Sequence, residues 1–147
     1  MRALLALDLL DPNLEPLMAE AIRHATQMDA TLDLLYIEPV AYLVGYISDP
    51  SVAHMLELET QALHKAHKDR LDEWLESLPE AIRGKVVIEQ GGATELLIVE
   101  AASSYDMLFI GTHGRTGLKH FMLGSVAERV IRKATVPTLV LRVNQAD

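Results

Sequence analysis

Between Gly111 and Ser125 the chain reads GTHGRTGLKHFMLGS, with glycines at 111, 114 and 124, cations at Arg115 and Lys119, and no carboxylate. Glycine lets backbone approach a ligand closely or take a positive φ. A helix starting at Ser125 aims its N–H groups and positive dipole end back at the loop, and Ser125 itself suits the capping position while offering a hydroxyl. Glycine-lined backbone, a helix N-terminus and two cations together suit a polyphosphate. Asp8, which ends the first apolar run, has the chemistry to accept hydrogen bonds from ribose hydroxyls. Together they read as a nucleotide site, provided that the fold brings Asp8 to the loop. Taken alone, the glycines equally describe an ordinary turn.

The elements that must do this positioning are visible in the apolar pattern. Ala3 to Leu7 predicts a strand, and Asp11-Pro12 places an N-cap before a proline at the first helical position, so a helix is expected from Pro12 to Gln27. Its buried face is Leu14, Leu17, Met18, Ala21, Ile22 and Ala25. Leu32 to Ile37 predicts a second strand, closed by Pro39. Asp49-Pro50 then repeats the cap-plus-proline start, and Val52, Met55, Leu56, Ala62, Leu63, Ala66, Leu71, Trp74, Leu75 and Leu78 extend one long amphipathic helix to Pro79. Lys85 to Glu89 predicts a third strand, Gly91 to Thr94 a turn, Glu95 to Ser103 a short helix and Met107 to Ile110 a fourth strand. A last helix starts at Ser125, and Val136-Pro137 breaks it before a final strand, Thr138 to Arg142.

Strands that alternate with helices and read as continuous apolar runs predict an α/β fold with a parallel sheet. Helices reach both faces only where the chain reverses its direction across the sheet. The expectation is therefore a doubly wound five-stranded parallel sheet, ordered 3-2-1-4-5, in one domain spanning residues 1–147. Its reversal lies between strands one and four, where Asp8 and the glycine loop meet and where ligands of such sheets bind.

The segment from Ile110 to Val143, IGTHGRTGLKHFMLGSVAERVIRKATVPTLVLRV, resembles the C-terminal signature of the universal stress protein family in its ATP-binding branch. That branch is marked by G-x2-G-x9-G followed by Ser or Thr, matched by Gly111, Gly114, Gly124 and Ser125. The resemblance extends to the strand ending in Asp8, the long middle helix and the length. It implies that Gly111, Gly114, Gly124, Ser125 and Val126 hold phosphates and ribose, with His113 and Arg115 in the same loop, and that the ligand is ATP, or ADP or AMP, carrying its own Mg2+. It implies also that Asp8 lies near adenine and ribose and that the backbone of Ile37 reads adenine. Leu9-Leu10 departs from the family, which often places a small or hydroxyl residue after the aspartate. A homodimer joined through Thr138 to Arg142 is implied too, and an apolar edge strand is usually paired or covered.

Other features have plainer expectations. His64 and His67 lie within reach of one ion on the long helix, but no third ligand is evident and a solvated helix face is expected. Tyr42 and Tyr46 are expected to pack in the core. Ser103, Ser104 and Ser125 lack a nucleophile elbow, and no catalytic residue is assigned. The chain carries a formal net charge of −8 and a pI near 5.2, against nucleic acid as a partner. It has no run long enough to span a membrane and no signal peptide. The absence of cysteine fits a reducing compartment, so a cytoplasmic protein is expected. The function so read is a homodimeric, ATP-binding regulatory module of the stress response with an unidentified regulatory partner. The alternative is a slow ATP hydrolase or phosphotransferase at the same site, with His113 as its base.

Overall fold

A computed structural model describes residues 1–39, 46–112 and 123–143. Five parallel strands form one sheet: β1 (Arg2–Leu7), β2 (Thr31–Glu38), β3 (Arg83–Gln90), β4 (Met107–Gly111) and β5 (Thr138–Leu141). Their order is β3-β2-β1-β4-β5, the doubly wound arrangement expected from the sequence. β1 and β2 are buried over almost their whole length, as continuous apolar runs covered on both faces must be.

Side chains alternate between two cores. Leu5, Leu7, Leu32, Leu34, Tyr36 and Phe109 face helices α1 (Leu14–Gln27) and α2 (Pro50–Ser77). Leu4, Ala6, Leu35, Leu108 and Ile110 face α3 (Thr94–Ala102) and α4 (Ser125–Lys133). A short 3₁₀ turn, Glu80–Ile82, leads from α2 into β3.

The helix starts separate two uses of one motif. Asp49 caps α2 as expected, its Oδ1 accepting the Ser51 N–H at 2.8 Å with Pro50 at the first helical position. Asp11-Pro12 does not start α1: Asp11 Oδ1 accepts the Asn13 N–H at 2.8 Å in an Asx turn, and the helix begins two residues later, at Leu14.

α2 also departs from its predicted packing. Leu71 alone among its residues is fully buried, with Trp74 and Leu75 packed beside it, whereas Val52, Met55 and Leu63 are exposed. The reason is length. Twenty-eight helical residues extend about 42 Å, while the eight residues of β2 extend about 26 Å. Tyr46, expected in the core, is 86% exposed; Tyr42 lies outside the described residues.

One polar cluster is built into the sheet. Asp33, in the middle of β2 and 1% exposed, accepts hydrogen bonds from Arg2 Nη2 and Tyr105 Oη, each at 2.7 Å, and from the Lys85 N–H at 3.0 Å. Arg2 also lies over the Tyr105 ring, 4.9 Å from its centroid. Position 84 must be glycine: a Cβ there would stand 1.9 Å from Asp33 Oδ1 and 2.7 Å from the Leu32 carbonyl oxygen. The β2–β3 register shifts between Leu32 and Leu34, where this side chain crosses.

Candidate functional site

At the carboxyl edge of the sheet, where the chain reverses between β1 and β4, lies a cavity of about 550 Å³. Every strand but β5 ends on it or leads a loop to it. β1 contributes Ala6, Leu7 and the following Asp8; β2 contributes Leu35 to Glu38; β4 contributes Ile110 and Gly111; and α4 contributes Ser125, Val126 and Ala127 behind Gly124. The volume lies in the range of small-molecule sites.

Asp8 shares the cavity with Gly111 and Gly124, at the described ends of the glycine loop, and its own turn is fixed locally. Asp8 Oδ1 accepts the Leu10 N–H at 2.9 Å, and its carbonyl accepts the Asp11 N–H at 3.0 Å. Leu9, the departure after the aspartate, is buried in the core, while Leu10 points outward. Ile37 is half-buried and lines the same cavity.

The described ends of the glycine loop are pinned side by side. The Thr112 N–H donates to the Leu141 carbonyl at 3.1 Å, and the Gly124 N–H donates to the Thr112 carbonyl at 2.7 Å. Gly124, not Ser125, is the N-cap of α4. Its φ of −60° and ψ of 154° are open to any residue, so no special backbone conformation requires glycine here. Ser125 is the first helical residue and faces the cavity. His113, Gly114 and Arg115, together with Lys119, lie outside the described residues.

Sequence reasoning missed a third wall. Gly91, Gly92 and Thr94 line the cavity where β3 passes into α3. Gly91 and Gly92 have φ of +84° and +75°, a conformation that side chains resist, so the pair is a genuine positive-φ turn. The signal was available: β3 belongs to the same parallel sheet, so its carboxyl end must reach the same edge. α3 and α4 both open here, and neither has a side chain hydrogen-bonded at its N-cap, which is Ala93 in one and Gly124 in the other. Among the described residues no side chain caps either helix, so the N-terminal N–H groups and positive dipole ends of two helices meet one cavity.

The histidine pair also differs from expectation. His64 Nδ1 lies 2.8 Å from Glu38 Oε2 and His67 Nδ1 lies 2.7 Å from Glu38 Oε1, while Gln90 Nε2 donates to Oε2. Glu38 is 4% exposed at the end of β2 and lines the cavity. Burial pushes its carboxyl pKa up, and the bonds from His64, His67 and Gln90 outweigh this, holding it below its ordinary 4.5. Among the described residues no group of three or more His, Cys, Asp or Glu is placed to hold a metal ion, and no helix is long and apolar enough to cross a membrane.

Comparison with known proteins places this arrangement. A model of the universal stress protein family matches residues 1–142. Universal stress protein MJ0531 of Methanocaldococcus jannaschii is 32% identical over 125 residues, which are 83% of this chain and 71% of that one. Universal stress protein Rv2005c of Mycobacterium tuberculosis is 32% identical over 65% of this chain, a match that spans about a third (33%) of its own length. Among solved structures, hypothetical protein MJ0577 aligns with a TM-score of 0.74 at 23% identity, covering 99% of this chain and 97% of that one. A universal stress protein in complex with cAMP aligns with a TM-score of 0.59 at 17% identity, covering 98% of each chain.

Proposed function

The chain belongs to the universal stress protein family, and on that premise we propose that it is an adenine-nucleotide-binding regulatory module. It holds ATP, with the Mg2+ that the nucleotide brings, in the cavity beyond β1, β2 and β4. It acts in the cytoplasm as a homodimer joined through β5, with a regulatory partner that reads the occupied state. One observation carries this reading: the N-termini of two nine-residue helices, both without a side-chain cap, open into one cavity that Asp8 shares.

The residues fit the ligand end by end. Gly111, Gly124, Ser125 and the α4 N-terminus take the phosphates; Asp8 takes ribose hydroxyls; and the apolar wall at Leu35 and Ile37 takes the base. The cAMP-bound relative supports a nucleotide in this fold. Occupancy by itself can regulate if it favours one conformational or assembly state by a few kcal/mol, so the expected chemistry is stoichiometric binding with negligible turnover. Steady Mg-dependent phosphate release would count against it.

The deciding experiment compares the thermal midpoint with and without Mg-ATP for the wild type and for Ser125→Glu. At a ligand concentration near 100 times Kd, linkage adds about 2.7 kcal/mol, which raises the midpoint by about 5–10 °C for a chain of this size. Ser125→Glu puts a carboxylate where the phosphates would sit but suits the dipole of the first helical turn, so the variant stays folded and loses the rise. A wild type that does not respond to Mg-ATP, or a variant that responds equally, overturns the assignment.

A further inference from the structure

The cluster at Glu38 does something the core does not require. Before Leu71 no residue of α2 is buried, so the middle of the helix is tied to the sheet by His64 and His67 rather than by apolar packing. With a carboxylate as partner, each Nδ1 carries the proton and donates. Three donors, those of His64, His67 and Gln90, converge on the two oxygens of one buried side chain and fix its position. The ring of His67 also meets Tyr36 edge to face, with centroids 5.0 Å apart and planes at 70°. Glu38 and Tyr36 are both part of the cavity wall at the carboxyl end of β2. The histidines themselves do not line the cavity; they hold two residues that do.

The cavity has two ends. β1 lies between β2 and β4, which puts the β2 wall about 10 Å from Gly111 on β4. In the reading above, Gly111, Gly124 and the α4 N-terminus take the phosphates, and the apolar Leu35 and Ile37, on β2 beside Tyr36 and Glu38, take the base. We propose, resting on the nucleotide reading above, that His64 and His67 are positioning residues for the base end of the site, acting through Glu38 and Tyr36.

The test measures affinity for two probes, Mg-ATP and inorganic tripolyphosphate, the second of which has no base to position. The proteins are the wild type, H64A/H67A, H64N/H67N and the control K65A/K68A. Lys65 and Lys68 pair outward with Asp69 and Asp72 on the same helix, so the control retains wild-type affinity for both probes. H64A/H67A binds ATP about tenfold more weakly, the scale of losing one good hydrogen-bonded contact, and binds tripolyphosphate as the wild type does, which also shows that it is folded. An Asn amide sits close to where the Nδ1 donor was, so H64N/H67N recovers most of the ATP affinity. Unchanged ATP affinity in H64A/H67A overturns the proposal, and so does an equal loss for both probes, which is the mark of a merely structural role. A wild type that binds no ATP overturns the nucleotide reading itself, a result distinct from either.

Discussion

At the scale of single residues, Asp33 and Glu38 are polar positions inside a strand that is otherwise apolar, and each is closed by donors from elsewhere in the chain. Around Asp33, burial first and then the hydrogen bond to its carboxylate push the Tyr105 phenol from 10.0 up to about 12. A raised folded value means that the neutral phenol is the form the fold prefers. Its contribution is fully present below pH 10 and is lost as the pH rises through about 12. Denaturant unfolding between pH 9 and 12 should show the wild type losing stability relative to Tyr105→Phe. That variant starts about 1 kcal/mol less stable at neutral pH, because Asp33 loses one buried bond. Absorbance at the tyrosinate band should show a late step near pH 12 that Tyr105→Phe removes. A tyrosinate titration that Tyr105→Phe leaves unchanged at its late end would contradict the buried bond.

At the scale of elements, strands and helix order were legible because parallel strands covered on both faces must be largely apolar runs, as β1 and β4 are, and as β2 is apart from Thr31, Asp33 and Glu38. The role of Glu38 was not legible: its partners stand 26, 29 and 52 residues away, and local spacing carries no information about them. The α2 stripe misled for a related reason, since helical periodicity says which residues share a face but not whether the sheet beneath is long enough to cover it. The consequence is graded along one helix. Leu71→Ala should cost about 3 kcal/mol by leaving a cavity in the core, while Met55→Ser and Leu63→Ser, at exposed positions, should each stay within about 0.5 kcal/mol. Urea midpoints at constant m-value check this, and a large loss at Met55 or Leu63 would mean that the outer half of α2 is covered in solution.

At the scale of the whole molecule, the site was legible in outline because strand order alone determines which loops meet. Asp8, Ile37, Gly111, Gly124, Ser125 and Val126 share one cavity although they come from three separate strands and a helix. The same order leaves β5 terminal, paired with β4 on one side, with Val140 partly exposed. If two copies join along that strand, Val140→Lys should shift the sedimentation coefficient from dimer to monomer while leaving each copy folded. A wild type that sediments as a monomer at micromolar concentration would remove the interface.

The strand order also sets a schedule for biosynthesis. β1 can pair with β2 as soon as residue 38 has been made, but its other neighbour, β4, is more than 60 residues further along, and α4 comes later still. At translation rates of about 5–20 residues per second, the central strand therefore waits several seconds with one edge open. The cavity wall contributed by α4 follows β1, β2, β3 and β4 in the chain, so the nascent chain holds no complete site until all four strands that reach the cavity have been made.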